Sequence, residues 1–145
     1  MKNYDPHMHT AEHVLNQTMV RFFDVNRAFS SHLERKKSKC DYYFHRALTS
    51  VEEKAVSDAV NEQLQRSLPV REHWMSLKEA DDLYDLEKLP EAAEYNIRIV
   101  TIGDYDACPC IGSHVSNTEE VGEFVFVSSS FEEGVLRIRF KLKRT

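Results

Sequence analysis

Apolar residues recur at helical spacing near the start of the chain, from Met8 to about Asp24. Successive side chains on a helix are turned by about 100°, so apolar residues three and four apart form one stripe. The stripe and its flanks consist of Ala11, Leu15, Thr18 and Phe22, then Val14 and Met19. His9 and His13 fall near the opposite side. The pattern therefore predicts a helix with one face for burial and another face that presents two imidazoles.

Stretches rich in β-branched residues or of alternating polarity predict strands further along the chain. These strands are expected around 28–34, 41–47, 70–75, 96–102, 123–129 and 135–142, the last two as a hairpin. A basic turn, Arg35–Lys39, joins the first two. Neither an internal repeat nor a linker interrupts this order. We therefore expect one α+β domain over residues 1–145.

Two further helices are predicted from capping boxes, in which a Ser side chain and a Glu three residues later satisfy free backbone amides reciprocally. The box Ser50 to Glu53 begins a helix that runs to about Ser67. The box Ser76 to Glu79 begins a shorter helix that runs to about Leu83. Residues 84–95 are acidic and follow no period, so we expect them to be irregular.

The composition is that of a folded globular chain, with 145 residues of which 41% are hydrophobic and 30% charged. The four glycines lie far apart, so the chain has no glycine-rich phosphate loop. A net charge of −5 argues against a protein that coats nucleic acid over a wide surface. Basic residues nevertheless cluster at 35–39 and 137–144. These clusters are either solvated strand edges or a narrow strip that contacts phosphates.

The three cysteines, Cys40, Cys108 and Cys110, are expected to be reduced thiols. Their odd number and the absence of a secretory signal in the printed sequence are typical of an intracellular protein. No apolar stretch approaches the roughly 20 residues that a membrane-spanning helix needs. We therefore expect a cytoplasmic protein without a membrane partner.

Two pairs of residues have the spacing and the chemistry of metal ligands. His9 and His13 lie four apart on the predicted helix, so both imidazoles can reach one ion. Cys110 and His114 are also four apart, in a segment that Gly112 can bend tightly. Nitrogen and sulfur donors suit tetrahedral zinc, so the two pairs form a candidate Zn²⁺ site. The alternative is two surface histidines, and a buried cysteine beside an exposed histidine.

Other chemistry finds less support in the sequence. Thr10 stands where the HExxH motif of metalloproteases needs Glu. Cys108 is expected to be a core thiol, because Pro109 restricts the backbone between the two thiols. Asp104 and Asp106 are either turn residues or groups that orient a ligand histidine. The chain has no GxSxG motif, and a nucleophilic cysteine would need a histidine that the metal site already uses. No catalytic base is assigned.

The order of these motifs resembles the editing domain shared by alanyl- and threonyl-tRNA synthetases, whose free-standing versions are the alanyl-tRNA editing proteins (AlaX type). The resemblance rests on HxxxH and, much later, CxxxH followed by Val-x-x-Thr-x-x-Val-Gly, here residues 9–13 and 110–122. Further similar segments are Phe44–Thr49, Met75–Ala80, Ile97–Gly103 and Gly134–Ile138. The similarity covers nearly the whole chain.

The resemblance implies a two-layer α+β domain, with helices packed on an antiparallel sheet. It implies zinc bound by His9, His13, Cys110 and His114. It also implies hydrolysis of the ester that joins a wrong amino acid, serine or glycine in the alanyl branch, to the tRNA 3′ end. The chain is thus expected to be a zinc-dependent aminoacyl-tRNA deacylase acting in trans on the tRNA acceptor end. The basic residues expected to contact the tRNA acceptor end are Arg35, Lys36, Lys37, Lys141 and Lys143.

A synthetase pocket for a small amino acid discriminates poorly against a near-isostere. A second, hydrolytic site is therefore needed to remove the wrong amino acid. Zinc with four protein ligands would be structural, and zinc with three would keep an open position. Both arrangements stay open at this point. Two other functions also stay open. One is a non-catalytic, zinc-stabilised module that binds tRNA or a protein, and the other is an esterase for another substrate, which the net charge would tolerate better.

Overall fold

The computed structural model describes residues 5–84 and 96–144. Its helices lie at Pro6–Phe23 (α1), Ser50–Gln65 (α2) and Leu77–Leu83 (α3). Its strands lie at Ser30–His32 (β1), Ser38–Tyr43 (β2), Val70–Met75 (β3), Ile97–Ile102 (β4), Asp106–Pro109 (β5), Glu123–Glu132 (β6) and Val135–Lys143 (β7). The predicted helices and strands are all present, whereas β5 and a 3₁₀ turn at Thr118–Glu120 were not expected. Residues 85–95 of the expected irregular segment lie outside the described residues.

The described strands form two antiparallel sheets. The four-stranded sheet has the order β1-β2-β7-β6, and the three-stranded sheet has the order β3-β4-β5. The predicted hairpin is β6 and β7, with a register shift between Phe126 and Ser128. The α+β class is therefore confirmed. The strands divide between two sheets, where the resemblance implied one.

Helix α1 begins at a strong N-terminal signal. The Asp5 carboxylate accepts hydrogen bonds from the backbone N–H groups of His7 and Met8. Pro6 occupies the first turn, where a helix has no partner for a backbone N–H. The helix ends at Asp24, which has a left-handed backbone with φ 54°. Its bounds therefore follow from local chemistry that the sequence contains.

The burial of α1 differs from the expectation. His9 and His13 are only 4% and 3% exposed, whereas Phe22, expected on the buried stripe, is 47% exposed. The apolar side of α1 packs in the main core, which includes residues of α2 and β7. Strand β5 and the loop after it contact the histidine side. The helix is therefore covered from two directions, and its imidazoles face protein.

The start of α2 corrects the expected capping box by one residue. The cap is Thr49, whose hydroxyl accepts from the backbone N–H of Glu52. The Glu52 carboxylate accepts from the backbone N–H of Thr49 in return. Ser50, the expected cap, is the first residue of the helix. Glu52 also forms two hydrogen bonds with Arg46, which favours the register that places Glu52 third in the helix.

Two hydrophobic clusters stabilise the fold. The larger cluster joins α1, α2 and the inner face of the four-stranded sheet, and its largest fully buried side chains include Tyr42, Phe124 and Phe140. The smaller cluster, Ala80, Ile97 and Ile99, lies where α3 packs on the three-stranded sheet. No helix among the described residues is long and apolar enough to cross a membrane.

Candidate metal centre

Two distant parts of the chain meet at one cluster of nitrogen and sulfur atoms. Helix α1 contributes His9 and His13, one turn apart, and the loop after β5 contributes Cys110 and His114. One potential ligand atom from each of the four residues lies within 4.8 Å of the others. We call this group the His/Cys cluster. The structure therefore brings together the four residues that the sequence singled out, and a cluster of this kind could hold a metal.

The spacing inside the His/Cys cluster fits a tetrahedral ion. The Cys110 Sγ atom lies 3.3 Å from His9 Nε2 and 3.6 Å from His114 Nε2. Zinc–sulfur and zinc–nitrogen bonds of about 2.3 and 2.1 Å at tetrahedral angles would separate such donor atoms by about 3.4 to 3.6 Å. The donor set and its spacing both suit zinc.

Hydrogen bonds outside the cluster orient two of its rings. His9 Nδ1 donates to the Ser113 carbonyl oxygen at 3.0 Å, so the neutral ring keeps a lone pair on Nε2, the atom nearest to Cys110 Sγ. His114 Nδ1 lies 3.0 Å from the Thr10 hydroxyl, and that hydroxyl also accepts from the backbone N–H of Val115. Thr10 therefore connects α1 to the loop and orients His114.

Asp106 is the buried carboxylate beside the His/Cys cluster. Its Oδ2 lies 3.5 Å from His13 Nδ1, and its two oxygens accept from Arg27 at 2.7 and 3.3 Å. Gln17 donates to it as well. Burial would raise the pKa of Asp106, but Arg27 and His13 hold it well below the usual range. Asp104 lies in an exposed turn, which agrees with the expectation of a turn residue. Asp106 instead lies beside His13, where a group that orients this ring would have to be.

The electrostatics of the cluster favour a thiolate. Burial would raise the pKa of the Cys110 thiol, but the rings of His114, His13 and His9 lower it to about 3. Burial would lower the pKa of His13, but Asp106 and Cys110 raise it to about 10. Burial lowers the pKa of His114 to about 4. A thiolate is the form in which cysteine binds a metal, whereas His13, protonated beside Asp106 and Cys110, releases its proton when it becomes a ligand.

Cys108 lies outside the His/Cys cluster. Its Sγ contacts the Pro109 carbonyl oxygen, and burial raises the pKa of its thiol. A raised thiol pKa is the opposite of what metal binding needs. The geometry thus places Cys110, and not Cys108, among the clustered donor atoms.

Glu12 approaches the cluster and received no role from the sequence. Its Oε1 lies 3.9 Å from both His9 Nε2 and His13 Nε2, and its side chain is 13% exposed. The signal was present in the HxxxH segment, because Glu12 directly precedes the second histidine. A partly buried carboxylate here adds negative charge, which favours a bound cation.

A cleft of about 590 Å³ lies next to the His/Cys cluster. His114 lines it together with the rest of the loop, from Ile111 to Ser116, and strands β3 and β4 form its other side. Volumes of about 300 to 1,000 Å³ are typical of small-molecule sites. The cleft is therefore large enough for a ligand that reaches His114.

Arg98 ties the cluster loop to the three-stranded sheet. Its guanidinium donates to the carbonyl oxygens of Cys110 and Gly112 at 3.0 and 2.7 Å, and to the Glu72 carboxylate. The backbone N–H of Val70 also donates to the Ser116 carbonyl oxygen. The loop is thus bound on one side to α1 and on the other to the sheet that forms the cleft.

Comparison with known proteins places this site in a family. Residues 97–139, which include Cys110 and His114, match the family described as the threonyl and alanyl tRNA synthetase second additional domain. This part of the chain, which includes the loop of the His/Cys cluster, is thus similar to that domain. The resemblance stated from the motifs is therefore confirmed at the level of the synthetase domain.

The similarity also extends beyond the matched segment. An alanine–tRNA ligase of Petrotoga mobilis is 33% identical over 132 residues, and one of Bdellovibrio bacteriovorus is 31% identical over the same length. Each alignment covers 90% of this chain and 15% of the relative. An alanine–tRNA ligase of Streptococcus suis is 30% identical over 128 residues, 88% of this chain and 14% of the relative. The chain thus spans only about 15% of the length of the ligases it matches.

Proposed function

We propose that this chain hydrolyses mischarged aminoacyl-tRNA in trans, removing serine or glycine from tRNA for alanine. The observation that carries the proposal is the His/Cys cluster at the edge of a cleft, in a chain whose aligned relatives are alanine–tRNA ligases. A ligase for alanine needs a second site, because its own pocket separates alanine poorly from other small amino acids. The tRNA acceptor end is the proposed partner.

The residues of the cluster have separable parts in this proposal. His9, His13, Cys110 and His114 hold Zn²⁺. Bound zinc would supply a Lewis acid for a small aminoacyl ester once one coordination position is open to the substrate. Thr10 and the Ser113 carbonyl keep two rings in place. The cleft beside His114 binds the aminoacyl end and limits its access to water. No general base is assigned.

A metal-content measurement tests the ligand set. Cys110→Ser and His13→Ala should each lose stoichiometric zinc, because each removes one donor from the His/Cys cluster. Cys108→Ser is the matched control, with its sulfur outside the cluster, and should keep the metal. Zinc would be counted by atomic emission on purified, folded protein. Loss of zinc from Cys108→Ser instead of Cys110→Ser would contradict the assignment.

A deacylation assay tests the activity. Zinc-loaded protein should release serine and glycine from tRNA for alanine and should leave correctly charged alanyl-tRNA intact. The assay follows labelled amino acid over time against spontaneous hydrolysis in buffer. Equal hydrolysis of all three substrates would show that the cleft does not discriminate. A simple serine ester hydrolysed as fast as seryl-tRNA would support an esterase with another substrate.

A non-catalytic module is the second candidate, and one observation favours it. Four protein donors, gathered within 4.8 Å of one another, would fill the coordination sphere of zinc, as in structural sites. In that case the folded, zinc-loaded protein would bind tRNA or a protein without releasing any amino acid. The same deacylation assay therefore separates this candidate from the enzyme.

A further inference from the structure

Trp74 is an exposed indole in the cleft beside the His/Cys cluster. It is 61% exposed and lines the cleft together with His114. It lies on β3, at the edge of the three-stranded sheet, and its partner in β4 is Arg98. Cross-strand partners share a face of a sheet, so Trp74 lies on the face whose Arg98 holds the cluster loop.

The packing of residues 5–84 and 96–144 does not account for this position. Trp74 belongs to neither hydrophobic cluster, and the cluster under α3 uses the opposite face of the same sheet through Ile97 and Ile99. An exposed aromatic ring can bury its apolar surface against a ligand, and this burial stabilises the complex. The ring is also held on a strand, so little conformational freedom is lost when a ligand covers it.

We infer that Trp74 stacks on the base of the terminal nucleotide of the acceptor end when the aminoacyl ester lies at His114. This inference rests on the proposed function. The ester is carried by the ribose of that nucleotide, so its base must lie within one nucleotide of the reacting bond. A base has a flat aromatic face of the kind that indole rings bind in single-stranded nucleic acid. The cleft contacts both the indole and His114, as such a ligand requires.

The chain contains one tryptophan, so its fluorescence reports on this residue alone. Zinc-loaded protein would be titrated with a short acceptor-stem RNA that carries serine through a non-hydrolysable 3′ amide. We expect saturable quenching of the fluorescence. A fluorescein label on the 5′ end of the RNA gives the Kd by anisotropy, including for variants that lack the tryptophan.

Removing Trp74 and removing the base should be coupled. Trp74→Ala should weaken the Kd about 5-fold to 150-fold, the range measured for single base-stacking side chains. Trp74→Phe should retain most of the affinity. An RNA whose terminal nucleotide lacks its base should bind the wild type with a similar loss and should bind Trp74→Ala with little further loss. Leu83→Ala, at an exposed apolar residue outside the lining of the cleft, is the control and should leave the Kd unchanged.

The outcomes separate this inference from the proposed function. If the abasic RNA loses as much affinity with Trp74→Ala as with the wild type, the stacking inference is wrong even when deacylation is observed. Coupling without any deacylation would uphold stacking and contradict the enzyme. Absence of RNA binding by the wild type would contradict both. Zinc content and circular dichroism of Trp74→Ala establish that the variant is folded.

Discussion

At the level of single residues, Asp106 and His13 form a buried contact of 3.5 Å beside the His/Cys cluster. Asp106 is buried and held by Arg27 and Gln17, and its carboxylate lies beside Nδ1 of His13. A carboxylate in this place fixes the ring orientation and makes the other nitrogen a better ligand. We therefore expect Asp106 to act on a metal through His13.

Asp106→Asn should lower the zinc affinity about 10-fold to 100-fold, the usual cost of losing a group that supports a metal ligand. The cause is the loss of the negative charge beside His13 and Arg27. Asp104→Asn is the control, because the Asp104 side chain is 78% exposed and lies 3.5 Å from Arg66. Competition with a chelator gives the zinc affinities of Asp106→Asn and Asp104→Asn. Circular dichroism first establishes that both variants are folded. Equal affinities for the two variants would show that Asp106 does not support the site.

The four members of the His/Cys cluster could be singled out from the sequence, but their surroundings could not. A spacing of four residues pairs His9 with His13 and Cys110 with His114. Residues at this spacing lie on one side of a helix or of a tight loop. Nothing local distinguishes Asp106 from Asp104. The difference comes from Arg27, 79 positions away in the chain.

At the level of elements, the cap of α2 shows how two local signals can compete. Thr49 and Ser50 each precede an acidic residue at the distance of a capping box, Glu52 and Glu53 respectively. In the fold, Glu52 bonds the Thr49 backbone and Arg46, while Glu53 bonds Ser129 of β6. The pKa of Glu52 is lowered to about 2, mainly by the hydrogen bond from Arg46 and less by that from the Thr49 backbone. Tertiary contacts therefore select the register.

Thr49→Ala should reduce the free energy of unfolding by about 1 kcal/mol, the typical loss for an N-cap hydroxyl. Ser50→Ala is the matched control and should change it by a few tenths of a kcal/mol at most, because Ser50 is an exposed residue inside the helix. Urea unfolding followed by circular dichroism measures both. A larger loss for Ser50→Ala than for Thr49→Ala would mean that the sequence-based box is the one that forms in solution.

The strands were predictable to different degrees. Alternating polarity located β6 and β7, because the four-stranded sheet buries one face and leaves the other side more exposed. Strand β5 was missed because its four residues include a proline and directly follow a turn. The division into two sheets depends on which strands pair, and periodicity carries no information about pairing partners.

At the level of the whole molecule, charge limits how the protein could meet RNA. The chain has a net charge of −5, yet Lys141 and Lys143 lie exposed on β7. Lys36 and Lys37 are exposed in the turn before β2, beside Arg35, which faces Asp5 at 3.5 Å. A small set of cations in an acidic protein would contact few phosphates.

The affinity for an acceptor-stem RNA should therefore fall only moderately with salt. The slope of log K against log salt should not exceed about 4.5 in magnitude, because five cations contribute about 0.9 each. Replacing Lys141 and Lys143 by Gln should reduce the slope by about 1 to 2. Lys78→Gln, on α3, is the control and should leave it unchanged. Fluorescence anisotropy at several salt concentrations gives the slopes, and a much steeper one would indicate a wider contact with the tRNA.

His9 and Cys110 lie 101 positions apart in the chain, and their contact has a consequence for refolding. Helix α1 is a local structure, so its histidine pair can form early and capture a metal with two donors only. The thiolate and His114 arrive once the long intervening segment has folded, because closing so distant a contact is slow. Zinc present from the start can thus occupy half-sites on unfinished molecules, or join two of them. We expect zinc supplied after the chain has folded to find all four donors together, so that the order of addition governs the yield of the metal-loaded protein.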